Sequence, residues 1–249
     1  MSVKSSPAYR FCLAGIWILA GSCVALGGDY SDPSGFSFEY PEGWYPVTQQ
    51  SLQEAKKSFP PELKQWLAQN RIDLSHISVM VVRNAGDQEF HENLNVVVDK
   101  QQIPVDENSL KKLSDLFTKQ YSSAGVKIED LSSRFHQIGA RKAMVFELVA
   151  KYPGQDSPVR QRQFVLPGGG KTYFITFTAP AERFERTWPT FESVLYTFQA
   201  PEPVPTGFDF GRILNKAVVG AIVGMVIGGL VAVWRLIGGQ TGRFRSVPG

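Results

Sequence analysis

The sequence predicts an α+β protein, a layered sandwich of helices on an antiparallel sheet, followed by a C-terminal transmembrane helix. Three observations predict it. Four apolar–polar alternating runs follow one another from Glu129 to Ala179 with short connections, the pattern of an antiparallel meander. Other segments repeat apolar residues at steps of three and four, giving helices with one face to lay on that sheet. Finally, Ala217 to Trp234 reads AVVGAIVGMVIGGLVAVW with no internal charge.

The elements follow in order. FSFEY, Phe36 to Tyr40, alternates as a strand does, and the turn at Pro41 to Gly43 makes Trp44 to Val47 its expected partner. Leu52 to Asn70 carries helical signals around a Pro60-Pro61 break, with Leu63, Trp66 and Leu67 on one face. ISVMVVR from Ile77 and NLNVVVDK from Asn93 are strands joined by the polar loop Asn84 to Glu89. Asp106 or Asn108 can cap a helix bearing Leu110, Leu113, Phe117 and Tyr121, and Gly125 ends it. The four strands of the meander are EDLSSRFHQI, AMVFELVAKY, VRQRQFVLP and KTYFITFTA. A last helix aligns Phe184, Trp188, Phe191, Leu195 and Phe198, and Pro189 is expected near its first turn.

The two ends address the chain. Residues 1–25 read as a signal peptide: Lys4 and Arg10 precede the uncharged run FCLAGIWILAGSCVAL. Cleavage after Ser22 or Ala25, acylation of Cys23 in the lipobox-like LAGSC, and an uncleaved anchor are all compatible with it. Both cysteines, Cys12 and Cys23, lie in this segment. Thiol catalysis and a structural Cys-ligated zinc are therefore excluded from the domain that follows. Residues 26–34 read as a flexible linker, 35–199 as one domain, and 200–212 as a stiff Pro-rich spacer. Residues 213–237 form the expected span, since about 20 apolar residues cross a ~30 Å hydrocarbon core. Arg243 and Arg245 in the tail 238–249, with Arg235 just before it, place that tail in the cytoplasm. Gly220, Gly224 and Gly228 recur every four residues, a face on which another helix can approach closely.

LPGGGKTYFITFTAP, Leu166 to Pro180, contains Gly-Gly-Gly-Lys-Thr, the end of a phosphate-binding loop. That motif needs a glycine where Val165 stands and a helix after its lysine. TYFITFT alternates as a strand instead, so the glycines read as a hairpin turn and Lys171 as an exposed turn residue.

Catalytic signatures are also missing from the sequence. His76, His91 and His136 are far apart, HENLN lacks the second histidine of a zinc-protease helix, and no G-x-S-x-G occurs. Glu39 and Glu42 flank the first turn as solvated carboxylates. Trp44, Trp66 and Trp188 have the spacing of core residues. The net charge of +3 with scattered Lys and Arg gives no nucleic-acid stripe.

GFSFEYPEGWYPV resembles the opening F-x-Y-P-x-G-W of PsbP-like domains, the extrinsic photosystem II protein and its bacterial relatives. IGARKAMVFELVA resembles their mid-domain segment, and YFITFTAPAERFERTWPTFESVLYTF their closing strand and helix. The resemblance spans most of Gly35 to Gln199. It implies an α/β/α sandwich with a central antiparallel sheet, and a largely non-enzymatic accessory, assembly or binding role outside the cytoplasm. No ion-ligand motif carries over, and no chloroplast transit peptide precedes the domain.

The expectation is a membrane-tethered, extracytoplasmic, non-catalytic binding or assembly module without catalytic, cofactor or metal residues. Its partners are the membrane itself and a membrane protein or second copy engaged through the glycine face, not nucleic acid. The competing class is an envelope enzyme whose site is assembled from dispersed polar residues.

Overall fold

The seven strands of the main sheet owe their order to two kinds of connection. The computed structural model describes residues 26–57, 74–83, 92–151 and 157–205, with Lys64, Gln65 and Ala68. Within these, the chain runs through β1 (Leu26–Ser31), β2 (Ser37–Pro41), β3 (Trp44–Thr48), α1 (Gln49–Lys57) and a 3-10 turn (Leu74–His76). It continues through β4 (Ile77–Arg83), β5 (Asn93–Asp99), α2 (Glu107–Ser123), β6 (Lys127–Ile138), β7 (Arg141–Lys151), β8 (Val159–Gly168), β9 (Lys171–Pro180) and α3 (Ala181–Thr197). The strand order is β3-β4-β5-β9-β8-β7-β6, antiparallel throughout. Three hairpin-joined strands leading to β9 follow from short turns, and β9 then closes against β5, Val96 opposite Ile175.

Alternation along the strands divides the core into two layers. On one face Ile77, Met80, Val97, Met144, Phe146 and Phe174 meet Leu52 of α1 and Leu113 and Phe117 of α2. On the other, Val79, Val96, Val145, Phe164, Ile175 and Phe177 meet Phe184 and Phe191 of α3. That is the expected α/β/α sandwich. Each buried Phe or Leu contributes about 1.5–3 kcal/mol of transfer free energy, which is what holds the helices down.

The caps of α2 match their sequence signals. Asp106 accepts from the Ser109 N–H at 2.7 Å. At the other end Gly125 has φ 72°, which lets its N–H reach Ser122 O at 3.1 Å and the Val126 N–H reach Tyr121 O at 3.0 Å.

Three expectations need correction. Trp44 to Val47 does not pair with Phe36 to Tyr40. β2 pairs with β1, Asp29 opposite Glu39, while β3 pairs with β4. The reason is packing: Phe36 and Phe38 are buried over the sheet on the α3 side, a place that a strand inside the sheet cannot occupy. The lead-in expected to be flexible is largely β1. Its glycines serve close approach, since a Cβ at Gly27 would fall 2.7 Å from Pro41 O. Finally, Pro189 lies inside α3 rather than in its first turn. It is exposed, and the carbonyl it leaves without a donor, that of Glu185, belongs to a solvent-facing residue, so water can satisfy it.

Among the described residues no helix is long and apolar enough to cross a membrane. The expected span 213–237, with Gly220, Gly224 and Gly228, lies outside the described residues, as do Cys23 with the rest of 1–25, and Leu63, Trp66 and Leu67.

Candidate functional site

The glycine hairpin is where several segments of the chain meet. Gly168 pairs with Lys171, and Gly169 and Gly170 turn at φ 58° and 76°, values open to glycine and strained for most other residues. The turn reading of GGGKT therefore holds, and no helix follows the lysine. Lys171 is not free, however. It is half-buried and its Nζ donates to Ser34 O at 2.7 Å, where the Tyr173 hydroxyl also donates at 3.3 Å.

The segment after α3 is laid against this hairpin. Gln199 exchanges both backbone hydrogen bonds with Ser37, at 2.8 and 3.0 Å. Arg141, at the start of β7, donates to Ala200 O at 3.2 Å, to Pro201 O at 3.3 Å and to Pro167 O. The Gly169 N–H donates to Glu202 O at 2.9 Å. Gln102 acts as a peptide mimic: its side-chain amide donates to Val204 O and its oxygen accepts from the Val204 N–H at 3.0 Å. Gly168 permits the contact, since a Cβ there would lie 2.3 Å from Pro201 O. Burial lowers the Arg141 guanidinium from its ordinary value, and the neighbouring Glu202 charge acts the other way. The stretch expected to begin a stiff Pro-rich spacer is thus docked as far as Val204. Prolines at 201 and 203 suit it, because a segment held by side chains does not need every backbone donor.

A second polar cluster lies between β6, β7 and β8 and the start of α3. Alternation in RQRQ sends Arg160 and Arg162 to one face and Gln161 and Gln163 to the other. On the α3 side Arg160 and Arg162 reach Glu147 at 3.0 and 3.2 Å, and Arg134 joins them. Arg160 also reaches Glu185 at 2.6 Å. Arg162 lies 3.8 Å over the Trp188 ring, which stacks on Phe164 and Phe184. Burial pushes the Glu147 carboxyl up, but the three guanidiniums outweigh it and hold it at about 2. Such a carboxylate stays ionised at neutral pH and is poorly matched to proton transfer. Nearby His136 is drawn below its ordinary value, first by burial and then by Arg134 and Arg162, against Glu192 and Glu147. Glu92, fully buried, is met by Arg83 at 2.9 Å and Arg183 at 3.8 Å.

On the opposite face the glutamines build a polar seam. Gln161 donates to Thr178 and Gln163 to Thr176, both at 3.0 Å, and the buried Tyr121 hydroxyl donates to Gln161 at 2.9 Å. A small apolar crevice lies between β2 and α3, among Phe38, Trp44, Phe191 and Val194, without room for a water molecule. Trp44 and Trp188 join the core cluster on the α3 side, as their spacing predicts, and Trp66 lies outside the described residues.

His76 and His136 fall on opposite flanks of the sheet, and His91 lies outside the described residues. Among the described residues no three His, Cys, Asp or Glu gather as metal ligands. Neither the Glu147 cluster nor the docked tail follows from the sequence motifs. The first had a signal, a glutamate within the apolar run AMVFELVA beside alternating arginines. The second had none, because glutamine and arginine bonds to backbone carbonyls leave no pattern.

No family model matches the chain, and no curated protein matches it. Solved structures do. The chain is similar to the solution structure of cyanobacterial PsbP (CyanoP) from Synechocystis sp. PCC 6803, at 17% identity over 78% of this chain and 99% of that one, TM-score 0.44. A crystal structure from Bacteroides thetaiotaomicron VPI-5482 matches at 12% identity over 70% of this chain and 48% of that one, TM-score 0.41. LpqN, involved in cell envelope biogenesis of Mycobacterium tuberculosis, matches at 11% identity over 70% and 91%, TM-score 0.39. At such values the likenesses say nothing about activity, and the fold stands on its own strands and helices.

Proposed function

We propose that this chain is a membrane-tethered, extracytoplasmic binding or assembly module that does no chemistry of its own. The docked tail is the observation that carries the reading. Five of the six residues from Gln199 to Val204 are held by hydrogen bonds from β2, β7, the β8–β9 hairpin and Gln102. A tail meant only to hang free gains nothing from such a clamp, whereas a tether gains a defined exit point. From Pro205 to Ala217 the chain can reach at most about 40 Å. The hairpin end of the sheet is therefore held near the bilayer, if the uncharged run from Ala217 inserts as its composition supports.

The signal-like N-terminus and the Arg-bearing C-terminus support the same orientation, domain outside and tail inside. Reporter fusions after Pro205 and after Gly249 are expected to read opposite compartments. Two cytoplasmic readings would overturn the proposal.

A further inference from the structure

The two edges of the main sheet are built differently. At one edge β3 carries Pro46, which has no N–H to offer another strand. At the other, β6 runs twelve residues without proline or glycine and bonds to β7 alone among the described strands. A register shift between Ile128 and Asp130 turns its first residues aside. Asp130 to Ile138 remains as a regular edge, with Ser132 and Arg134 exposed.

The side chains of that edge match a second copy of themselves. Leu131, Ser133 and Phe135 point to the α2 side: Leu131 and Phe135 pack against its core, and Ser133 accepts from Ser114 of α2 at 3.0 Å. Asp130, Ser132, Arg134 and His136 point to the α3 side, opposite Val149, Glu147, Val145 and Ala143 of β7. A closed pair of antiparallel edges has its two-fold perpendicular to the sheet, passing through one residue and its own copy. Centred on Ser133, this sets Phe135 opposite Leu131 and His136 opposite Asp130, each twice. Centred on Ser132, it sets Arg134 opposite Asp130 but leaves Phe135 facing the shifted start of the strand, without an apolar partner. Centred on Arg134, it sets two guanidiniums face to face, and like charges directly opposite repel. Of these three centres, Ser133 alone gives Phe135 an apolar partner and sets no like charges opposite.

We propose that β6 is a homodimerisation edge, pairing antiparallel with a second copy about a two-fold at Ser133 to join two sheets into one. Main-chain hydrogen bonds then supply the attraction, and the side-chain pairs select the register. Phe135, already capped by the Lys142 ammonium 3.7 Å from its ring centroid, gains Leu131 of the other copy as its missing neighbour. This pairing rests only on the outer domain and is independent of the membrane reading.

The test uses the full chain with Cys12 and Cys23 replaced by serine, so that an introduced cysteine is the single thiol. Copies of residue 133 would stand ~5 Å apart between Cα atoms, within disulfide reach. Copies of residue 137 would stand about 26 Å apart along the strands. Under mild oxidation Ser133→Cys is expected to give a covalent dimer and Gln137→Cys at least tenfold less. Adding Asp130→Lys to the Ser133→Cys chain should cut its dimer yield several-fold with circular dichroism unchanged. Equal yields at 133 and 137, no dimer at 133, or indifference to Asp130→Lys would each overturn the pairing. Because a membrane span could itself gather copies, the series is repeated with Gly224→Ile, and the 133-over-137 preference must persist.

Discussion

Lys171 shows how a single side chain changes meaning between sequence and structure. As a turn lysine it would be worth almost nothing, but it holds the Ser34 carbonyl and so ties the β8–β9 hairpin to the turn before β2. Lys171→Ala is expected to cost about 1 kcal/mol in urea unfolding, the scale of a partly exposed charged hydrogen bond, and to leave the fold intact. Tight nucleotide binding that depends on Lys171 would contradict the hairpin reading. Glu147 gives a pH-dependent prediction. Its carboxyl sits at about 2 in the fold against an ordinary 4.5. A depressed carboxyl stabilises the fold above its ordinary value, and that contribution fades as pH falls from 4.5 through 2. Glu147→Gln should therefore lower stability by roughly 2 kcal/mol at pH 7, since three guanidiniums lose their shared negative charge. Denaturant midpoints of the two proteins should converge below pH 4. A constant gap down to pH 2 would show that the charge is not what matters.

The elements were mostly legible because their signals are local. The steps of three and four in Leu110, Leu113, Phe117 and Tyr121, with Asp106 before and Gly125 after, are a complete description of α2. Asp106→Ala should cost about 1 kcal/mol, measured by thermal or urea unfolding. Alternation likewise located the four meander strands and their order. It could not choose a partner for β2, because alternation states which side chains share a face and not which strand lies alongside. Nor could it see β1, whose Gly27-Gly28 pair has no side chains to alternate. At the hairpin, Gly168→Ala should release the tail, since the added carbon meets Pro201 O at 2.3 Å. Amide exchange at Val204 and Gly169 is expected to speed up at least tenfold while exchange in β5 and β9 stays unchanged. Unaltered protection at Val204 would mean the tail is held by something other than this contact.

The layered architecture followed from the sum of these elements, since amphipathic helices must cover an alternating sheet whatever its details. The candidate sites did not, because residues such as Gln102 and Val204 are a hundred positions apart and only the closed fold makes them neighbours. The membrane assignment is a property of the chain as a whole and rests on its two ends. If the glycine face of the span associates, Gly224→Ile should weaken crosslinking of the isolated span while insertion continues, because isoleucine is apolar but bulky. Equal crosslinking would make those glycines ordinary membrane composition.

The docked tail also decides how the molecule answers to force. In the proposed tethered arrangement, tension from the C-terminal side would enter at Val204 and be met first by Gln102 and by the Gly169 amide, then by Arg141. Behind them stands β9, bonded on one side to β5 and on the other to β8. A modest pull therefore peels the strap and lengthens the leash by about six residues, roughly 20 Å, before any load reaches α3. The clamp works as a slack reserve, and the sheet behind it is spared.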